Sequence, residues 1–230
     1  MKRLAALWVA MSIVTHAGAL KFESLEKNLD APADAKTVEA TFDFENTSDR
    51  PVKITKSDPG CTCLHVQVAG GKLKYAPGES GTIKATFDVG NASGLVNKAV
   101  AVWLDNDPPD KPSLTLKVNV NIPVIVAIEP KTVKWAIGEK PDPQTIEIRI
   151  AEGNQVHVLG VTSSSKDFKT ELKAVENGRK YDLVITPTRV DSPGIGVLKI
   201  ETDSPVAKHK IQQAFAVVRK PTAAETAAKP

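Results

Sequence analysis

The stretch from Leu114 to Ile128, LTLKVNVNIPVIVAI, decides the fold. Its apolar side chains keep one parity throughout, as in a β-strand with one buried face: Leu114, Leu116, Val118, Val120, Ile122, Val124, Val126 and Ile128. A single strand of this length would extend about 50 Å, well beyond the usual strand. Pro123 lies inside the stretch and cannot donate to a sheet ladder. We therefore predict two strands, with Ser113–Ile122 ending one β-sandwich and Val124–Ile128 beginning another.

Alternation with a period of two also runs through the rest of the chain, and helical periodicity is nearly absent. Further apolar-polar alternation occurs at 38–44, 83–87, 133–137 and 146–150. Turn-forming residues separate these runs at 46–49, 58–60, 77–78, 105–109, 177–178 and 192–194. Many short alternating strands with frequent turns are typical of sandwiches that bury one face of each sheet. The predicted fold class is all-β, with two tandem Ig-like antiparallel β-sandwiches.

The two predicted sandwiches resemble each other weakly, as expected for a duplicated domain. Three pairs of segments match: 20–22 with 133–135, 37–46 with 145–154, and 105–108 with 202–205. The similarity has the length of a domain, which favours duplication over a solenoid of short repeats.

The N-terminal segment has the composition of an export signal. Lys2 and Arg3 supply positive charge, a short and mostly apolar run follows, and Ala17–Ala19 places small residues in an A-x-A arrangement. The apolar run of about 11 residues is shorter than the roughly 20 needed to span a bilayer. We expect a signal peptide at 1–19, sandwiches at 20–122 and 124–218, and a disordered tail at 219–230. The mature protein is then exported to the periplasm or the extracellular space, without a membrane span.

The composition of the chain excludes several classes of function. With 30 basic and 27 acidic side chains, the formal net charge of +3 is too small for a nucleic-acid binder that relies on a basic field. Two cysteines cannot build a disulfide framework or a four-thiolate zinc site. The sequence has no metalloprotease, P-loop or dinucleotide fingerprint, and no histidine lies in a motif with an obvious serine or aspartate partner. We predict no catalytic residue and no enzyme activity.

A set of motifs in the first half resembles a known family. The motifs are Phe42–Ile54 with its Asn46–Asp49 turn, Gly60–Cys63, Ala76–Ile83, Phe87–Asp88 and Leu104–Asp107. Together they are similar to the bacterial domain-of-unknown-function family 1573, whose members resemble Ig-like sandwiches of the major-sperm-protein and ASH type. Members of that family usually carry Cys-Gly-Cys-Thr, whereas this chain has Thr62 in the middle and Leu64 after the pair. The resemblance covers roughly Lys36 to Ile122 and implies a fold and a compartment, but no activity.

Cys61, Cys63 and His65 form the one chemically distinctive group of the sequence. On an extended strand, their spacing of two points all three side chains to one face. Such a group would bind Cu(I) or Zn²⁺ through thiolate and imidazole, or form a disulfide or redox-active dithiol between Cys61 and Cys63, or be structurally inert. In a straight strand the two cysteine Cα atoms would lie about 6.6 Å apart, at the upper limit for a disulfide. Either special site therefore needs a bend, which Pro59-Gly60 would supply, and the three interpretations stay open.

The second half has Ser163–Lys166 in the comparable region, so the fold does not require the cysteines. This difference favours a function specific to the first sandwich. We predict a non-catalytic binding or assembly module of the periplasm or cell envelope, whose protein partner pairs with an edge strand. The alternative is a metal-binding or thiol-redox protein that uses Cys61 and Cys63.

Overall fold

The computed structural model describes residues 19–221, which form two compact units. The first unit comprises the chain up to residue 31 together with 36–89 and 95–121, and the second comprises 32–35, 90–94 and the chain from residue 122. Apart from Ala19, the predicted signal peptide lies outside the described residues, as does the predicted tail beyond Pro221. Within residues 19–221, no helix reaches the length and hydrophobicity that a membrane crossing requires.

The first unit consists of two facing sheets. Its strands are β1 (Leu20–Phe22), β2 (Glu26–Asp30), β3 (Thr37–Asn46), β4 (Val52–Asp58), β5 (Leu64–Val68), β6 (Lys74–Tyr75), β7 (Ser80–Asp88), β8 (Gly94–Leu104) and β9 (Leu114–Ile122), with a 3-10 turn at Ala69–Gly71. One sheet has the order β1-β3-β7-β5 and the other has the order β2-β9-β8-β4-β6. The arrangement is that of an Ig-like sandwich. In the second sheet, β2 adds a strand parallel to β9, and β6 adds a short strand antiparallel to β4.

The second unit repeats this architecture. Its strands are β10 (Val126–Glu129), β11 (Thr132–Ala136), β12 (Gln144–Ile150), β13 (Val158–Ser163), β14 (Phe168–Glu176), β15 (Lys180–Pro187), β16 (Gly194–Thr202) and β17 (Ile211–Arg219), with a short helix α1 (Ala207–Lys210). The sheet orders are β10-β12-β15-β14 and β11-β17-β16-β13. The prediction of an all-β, Ig-like fold is confirmed.

Burial follows the alternation from which the strands were predicted. Every second residue of β9 from Leu114 to Ile122 is buried, because one face of its sheet covers the core. The parity is interrupted after Pro123 and resumes with the buried Val126 and Ile128. Val124 is 39% exposed, whereas Ile125 and Val126 are both buried. The next strand therefore begins at Val126, two residues later than the even parity predicts.

The strand orders of the two units correspond except for β6, which has no counterpart in the second unit, and they correct one predicted match. The prediction equated Leu20–Phe22 with Val133–Trp135. However, β1 pairs antiparallel with β3 as β10 does with β12, whereas β11 runs parallel to β17 as β2 does to β9. Leu20–Phe22 therefore corresponds to β10, and Val133–Trp135 to β2. Short strands with the same alternation cannot be distinguished without their pairing partners.

Candidate functional site

Cys61 and Cys63 lie in the turn between β4 and β5, where they form a disulfide. Gly60 precedes them with a φ of 66°, in the left-handed region that favours glycine. The N–H of Gly60 donates to Asp58 Oδ1 at 3.0 Å, and this bond, with the neighbouring Lys56, holds the pKa of the Asp58 carboxyl below its usual value. The Cα atoms of the two cysteines are consequently 5.4 Å apart, within the usual range for a disulfide. The chain bends here as the disulfide interpretation requires.

The disulfide closes a very short loop and is a weak structural cross-link. The two cysteines are two positions apart, so the loop contains three residues. Closing such a loop lowers the entropy of the unfolded chain and thereby stabilises the fold by about 1.6 kcal/mol, compared with about 3 kcal/mol for a loop of about 15 residues. Both cysteines are only half-buried, so reagents reach the turn. These properties suit a reactive bond better than a structural one.

His65 lies on β5 with its side chain exposed, and its Nε2 is 2.9 Å from Asp88 Oδ2. Asp88 ends β7, and its N–H donates to the carbonyl oxygen of Cys63 at 2.9 Å. Within residues 19–221, no group of three or more His, Cys, Asp or Glu side chains is placed to hold a metal ion. Sulfur atoms joined in a disulfide are not thiolate ligands. A copper or zinc site on Cys61, Cys63 and His65 would require the reduced pair, and it stays a prediction.

The turn between β13 and β14 occupies the same place in the second unit. Thr188 N donates to the carbonyl oxygen of Asp167 at 2.7 Å, as Asp88 N donates to that of Cys63. In both units this bond lies one residue before the paired strand begins, since Phe168 is in register with Pro187 as Leu64 is with Phe87. The sequence segment Ser163–Lys166 therefore does lie in the region comparable to the cysteines.

This correspondence places Ser165 at the position of Cys61 and Asp167 at the position of Cys63. The hydroxyl of Ser165 accepts a hydrogen bond from the N–H of Asp167 at 3.2 Å. One unit therefore closes the turn with a hydrogen bond between the two positions that the other unit joins covalently. The turn itself does not require the disulfide.

The strand β5, which follows the disulfide, is an edge strand. It pairs with β7 on one side and has no neighbour on the other within residues 19–221. Since Cys63 bonds to Asp88, the alternation of an antiparallel ladder directs the peptide groups of Leu64, Val66 and Val68 to the open side. Leu64 and Val66 each present one N–H and one C=O there, whereas Val68 presents its N–H, because its C=O begins the 3-10 turn at Ala69–Gly71. The open side is a row of donors and acceptors without partners among the described residues.

The two equivalent edge strands differ in charge. On the outer face of β14, Lys169 and Glu171 occupy the positions that His65 and Gln67 occupy on β5. Charged side chains on an edge strand, lysine above all, oppose pairing with another chain. The edge of the second unit has this protection and β5 does not, since β5 contains no Lys, Arg, Asp or Glu.

A surface cavity of about 510 Å³ lies at the C-terminal end of β5. Its lining consists of Gln67, Val68, Ala69, Gly70, Gly71 and Lys84. Lys84 belongs to β7 and is the cross-strand partner of Gln67, so the cavity lies beside the ladder between β5 and β7.

Two histidine–carboxylate pairs are present that the sequence motifs do not reveal. In the sequence, no histidine lies in a motif with an obvious serine or aspartate partner. His65 pairs with Asp88, 23 residues away, and His157 Nδ1 lies 2.9 Å from Asp203 Oδ2, 46 residues away. The His157 N–H also donates to Asp203 Oδ1, and these contacts lower the pKa of the Asp203 carboxyl. No spacing rule in the sequence reveals such pairs, because strand pairing joins distant segments. Both pairs lie on exposed surfaces, without a neighbouring serine or cysteine nucleophile in hydrogen-bond contact among the described residues.

The first unit matches a known family. Residues 20–120 match the model of the family described as "Protein of unknown function (DUF1573)". The resemblance inferred from the motifs of this unit is thereby confirmed. No curated protein matches the chain.

Several solved structures are similar to this chain. A protein of unknown function from Porphyromonas gingivalis W83 is 10% identical, with 89% of this chain and 100% of that chain covered and a TM-score of 0.34. The ASH/PapD-like domain 7 of human CEP192 is 11% identical, with coverages of 53% and 96% and a TM-score of 0.35. The YadV chaperone is 9% identical, with coverages of 87% and 100% and a TM-score of 0.32. Similarity at this level supports no inference about function.

Proposed function

We propose that this chain is an exported, non-catalytic binding module that takes a protein partner by addition of a β-strand to β5. The observation that carries the proposal is the open edge of β5, where Leu64 and Val66 present peptide groups without partners among the described residues. An extended segment lying beside them would satisfy these groups by main-chain hydrogen bonds. The occupant is an extended protein segment with few charges, since the edge offers backbone groups, His65 and Gln67.

The export part of the proposal rests on the leader-like composition of residues 2–19. A disulfide between Cys61 and Cys63 fits the same compartment, because disulfides persist in the periplasm and outside the cell. The partner is therefore a protein that the chain meets in the periplasm, at the cell envelope or outside the cell.

The decisive experiment removes one donor from the open edge and leaves the ladder to β7 intact. In Val66→Pro the lost N–H is one that faces the open side, and proline is tolerated at such positions of edge strands. The matched control is Thr170→Pro, at the equivalent position of β14, where the lost N–H also faces outwards. Circular dichroism and thermal unfolding establish that both variants fold.

The probe is a displayed library of random peptides of about 12 residues, selected on the purified chain. Selected peptides are expected to bind Val66→Pro at least about ten-fold more weakly than the wild type. The reason is that one main-chain hydrogen bond to the peptide is lost and the proline ring projects to the open side. Thr170→Pro is expected to keep the wild-type affinity. A library without binders, or peptides that bind Val66→Pro as tightly as the wild type, would overturn the proposal.

The disulfide itself favours a second function, in thiol-redox chemistry or metal binding at Cys61 and Cys63. Its location on a half-buried turn that does not need it is the observation behind this alternative. Metal analysis of the chain purified under reducing conditions tests the metal form. Stoichiometric copper or zinc that is lost in Cys63→Ser supports it, and a metal-free reduced chain rejects it.

A further inference from the structure

We infer that the Cys61–Cys63 pair is a redox switch for the β5 edge, operated by exchange with a dithiol. The inference rests on the proposed function of β5 and names its regulation. The disulfide form would hold the edge ready for a partner strand, and the dithiol form would release it.

The disulfide lies at the start of the open edge. Cys63 supplies the carbonyl oxygen that bonds to Asp88, the first contact of the ladder between β5 and β7. The next residue, Leu64, is the first whose peptide groups face the open side. The disulfide therefore fixes the backbone at the point where the open edge begins.

The two units close the equivalent turn in different ways. The turn before β14 is closed by the Ser165–Asp167 hydrogen bond, and its edge carries Lys169 and Glu171. In the described residues, the covalent closure thus occurs only at the edge that lacks protective charges. The second unit builds the same turn without sulfur, so the disulfide beside the open edge points to control of that edge.

The chemistry is a two-electron exchange. One thiolate of the dithiol attacks the Sγ of one cysteine, forming a mixed disulfide and releasing the other cysteine as a thiolate. The second thiol of the reagent then displaces the first cysteine, so the reagent ends as its own disulfide and the protein as two thiols after protonation. A disulfide reagent such as oxidised glutathione reverses the reaction. The half-buried cysteines on a turn give such reagents access.

Amide hydrogen exchange on the free chain tests the switch without any partner. The informative amides are those of His65 and Gln67, whose N–H groups face β7 and are protected by the ladder. On reduction with dithiothreitol we expect both to exchange at least about ten-fold faster. The equivalent amides of Lys169 and Glu171 are expected to keep their rates. The Cys61→Ala/Cys63→Ala variant, which has no hydroxyl to close the turn, should show the rates of the reduced chain under both conditions.

Unchanged rates at His65 and Gln67 would overturn the switch, as would an equal change at Lys169 and Glu171, which would indicate a general loss of structure. A binding measurement separates this inference from the proposed function. Peptides that depend on Val66 are expected to bind the reduced chain at least about ten-fold more weakly than the oxidised chain. Equal binding to both forms would reject the switch and leave strand addition at β5 standing.

Discussion

Replacing both cysteines with serine measures how much the disulfide contributes to stability. The Cys61→Ser/Cys63→Ser variant removes a link across three residues, and the entropy of closing such a loop corresponds to about 1.6 kcal/mol. The equivalent turn shows that a hydroxyl at the first position accepts a hydrogen bond from the second. Such a bond restores up to about 1 kcal/mol. We therefore expect the free energy of unfolding of the first unit to fall by about 0.6 to 1.6 kcal/mol.

Urea unfolding followed by tryptophan fluorescence is the assay. Trp103 lies on β8 in the first unit and Trp135 on β11 in the second. The third tryptophan is Trp8, so a chain that lacks residues 1–19 and carries Trp135→Phe has Trp103 as its one tryptophan. The comparison is between the oxidised chain and the cysteine-free variant in that background. The matched control is Ser165→Ala, which removes the hydrogen bond of the equivalent turn and should leave the transition reported by Trp103 unchanged.

A loss of more than about 3 kcal/mol, or a first unit that no longer folds, would refute the reasoning. Losses of that size are typical of disulfides that hold small domains together. The bond would then be a structural cross-link, and the chain could not lose it reversibly during a redox cycle.

Two further predictions concern packing and pH. Gly81→Ala should lower the free energy of unfolding by about 1 to 3 kcal/mol, because an added Cβ would lie 2.5 Å from atoms of Phe44 and Tyr75. In the control Gly160→Ala the added Cβ meets open space, so the free energy of unfolding should change by less than about 1 kcal/mol. Equal effects of the two substitutions in urea unfolding would contradict the prediction. Burial, together with the charge of Lys208, lowers the pKa of His209 below 6.5. As the pH falls, the unfolded chain therefore binds a proton at His209 before the folded chain does. The second unit should consequently lose stability below a pH of about 6.5. The unfolding temperature of His209→Gln should depend less steeply on pH than that of the wild type. An equal slope in the two chains would refute the role of His209.

The sequence predicts most of the fold, because burial on one face imposes a period of two. The Asn46–Asp49 turn was also predictable, since asparagine bonds its own backbone in such turns. The side-chain amide of Asn46 donates to the carbonyl oxygens of Arg50 and Tyr75 at 2.9 Å each, and the Oδ1 of Asn46 accepts from Ser48 N at 3.1 Å. Asn46 is fully buried, so these bonds also satisfy polar groups that would otherwise lack partners.

The candidate site was predictable only in part. A spacing of two places the Cα atoms of Cys61 and Cys63 at the limit for a disulfide in a straight strand, so the sequence left three interpretations open. The bend at Gly60 and its bond to Asp58 decide the geometry, and they depend on how β4 and β5 enter different sheets. The partner of His65 could not be predicted either, because Asp88 reaches it through the register of β5 and β7.

The duplication supplies an internal comparison for the site. The β4–β5 and β13–β14 turns share one strand order and one ladder contact, which Cys63 makes in the first unit and Asp167 in the second. A backbone requirement common to both units cannot explain features that only one unit has. The first unit differs by a disulfide in place of a hydrogen bond and by an edge without charged side chains, and the two differences lie within six residues of each other, between Cys61 and Gln67. Two differences on one short segment are explained together if the edge receives a strand and the disulfide controls it, whereas a purely structural role would explain neither.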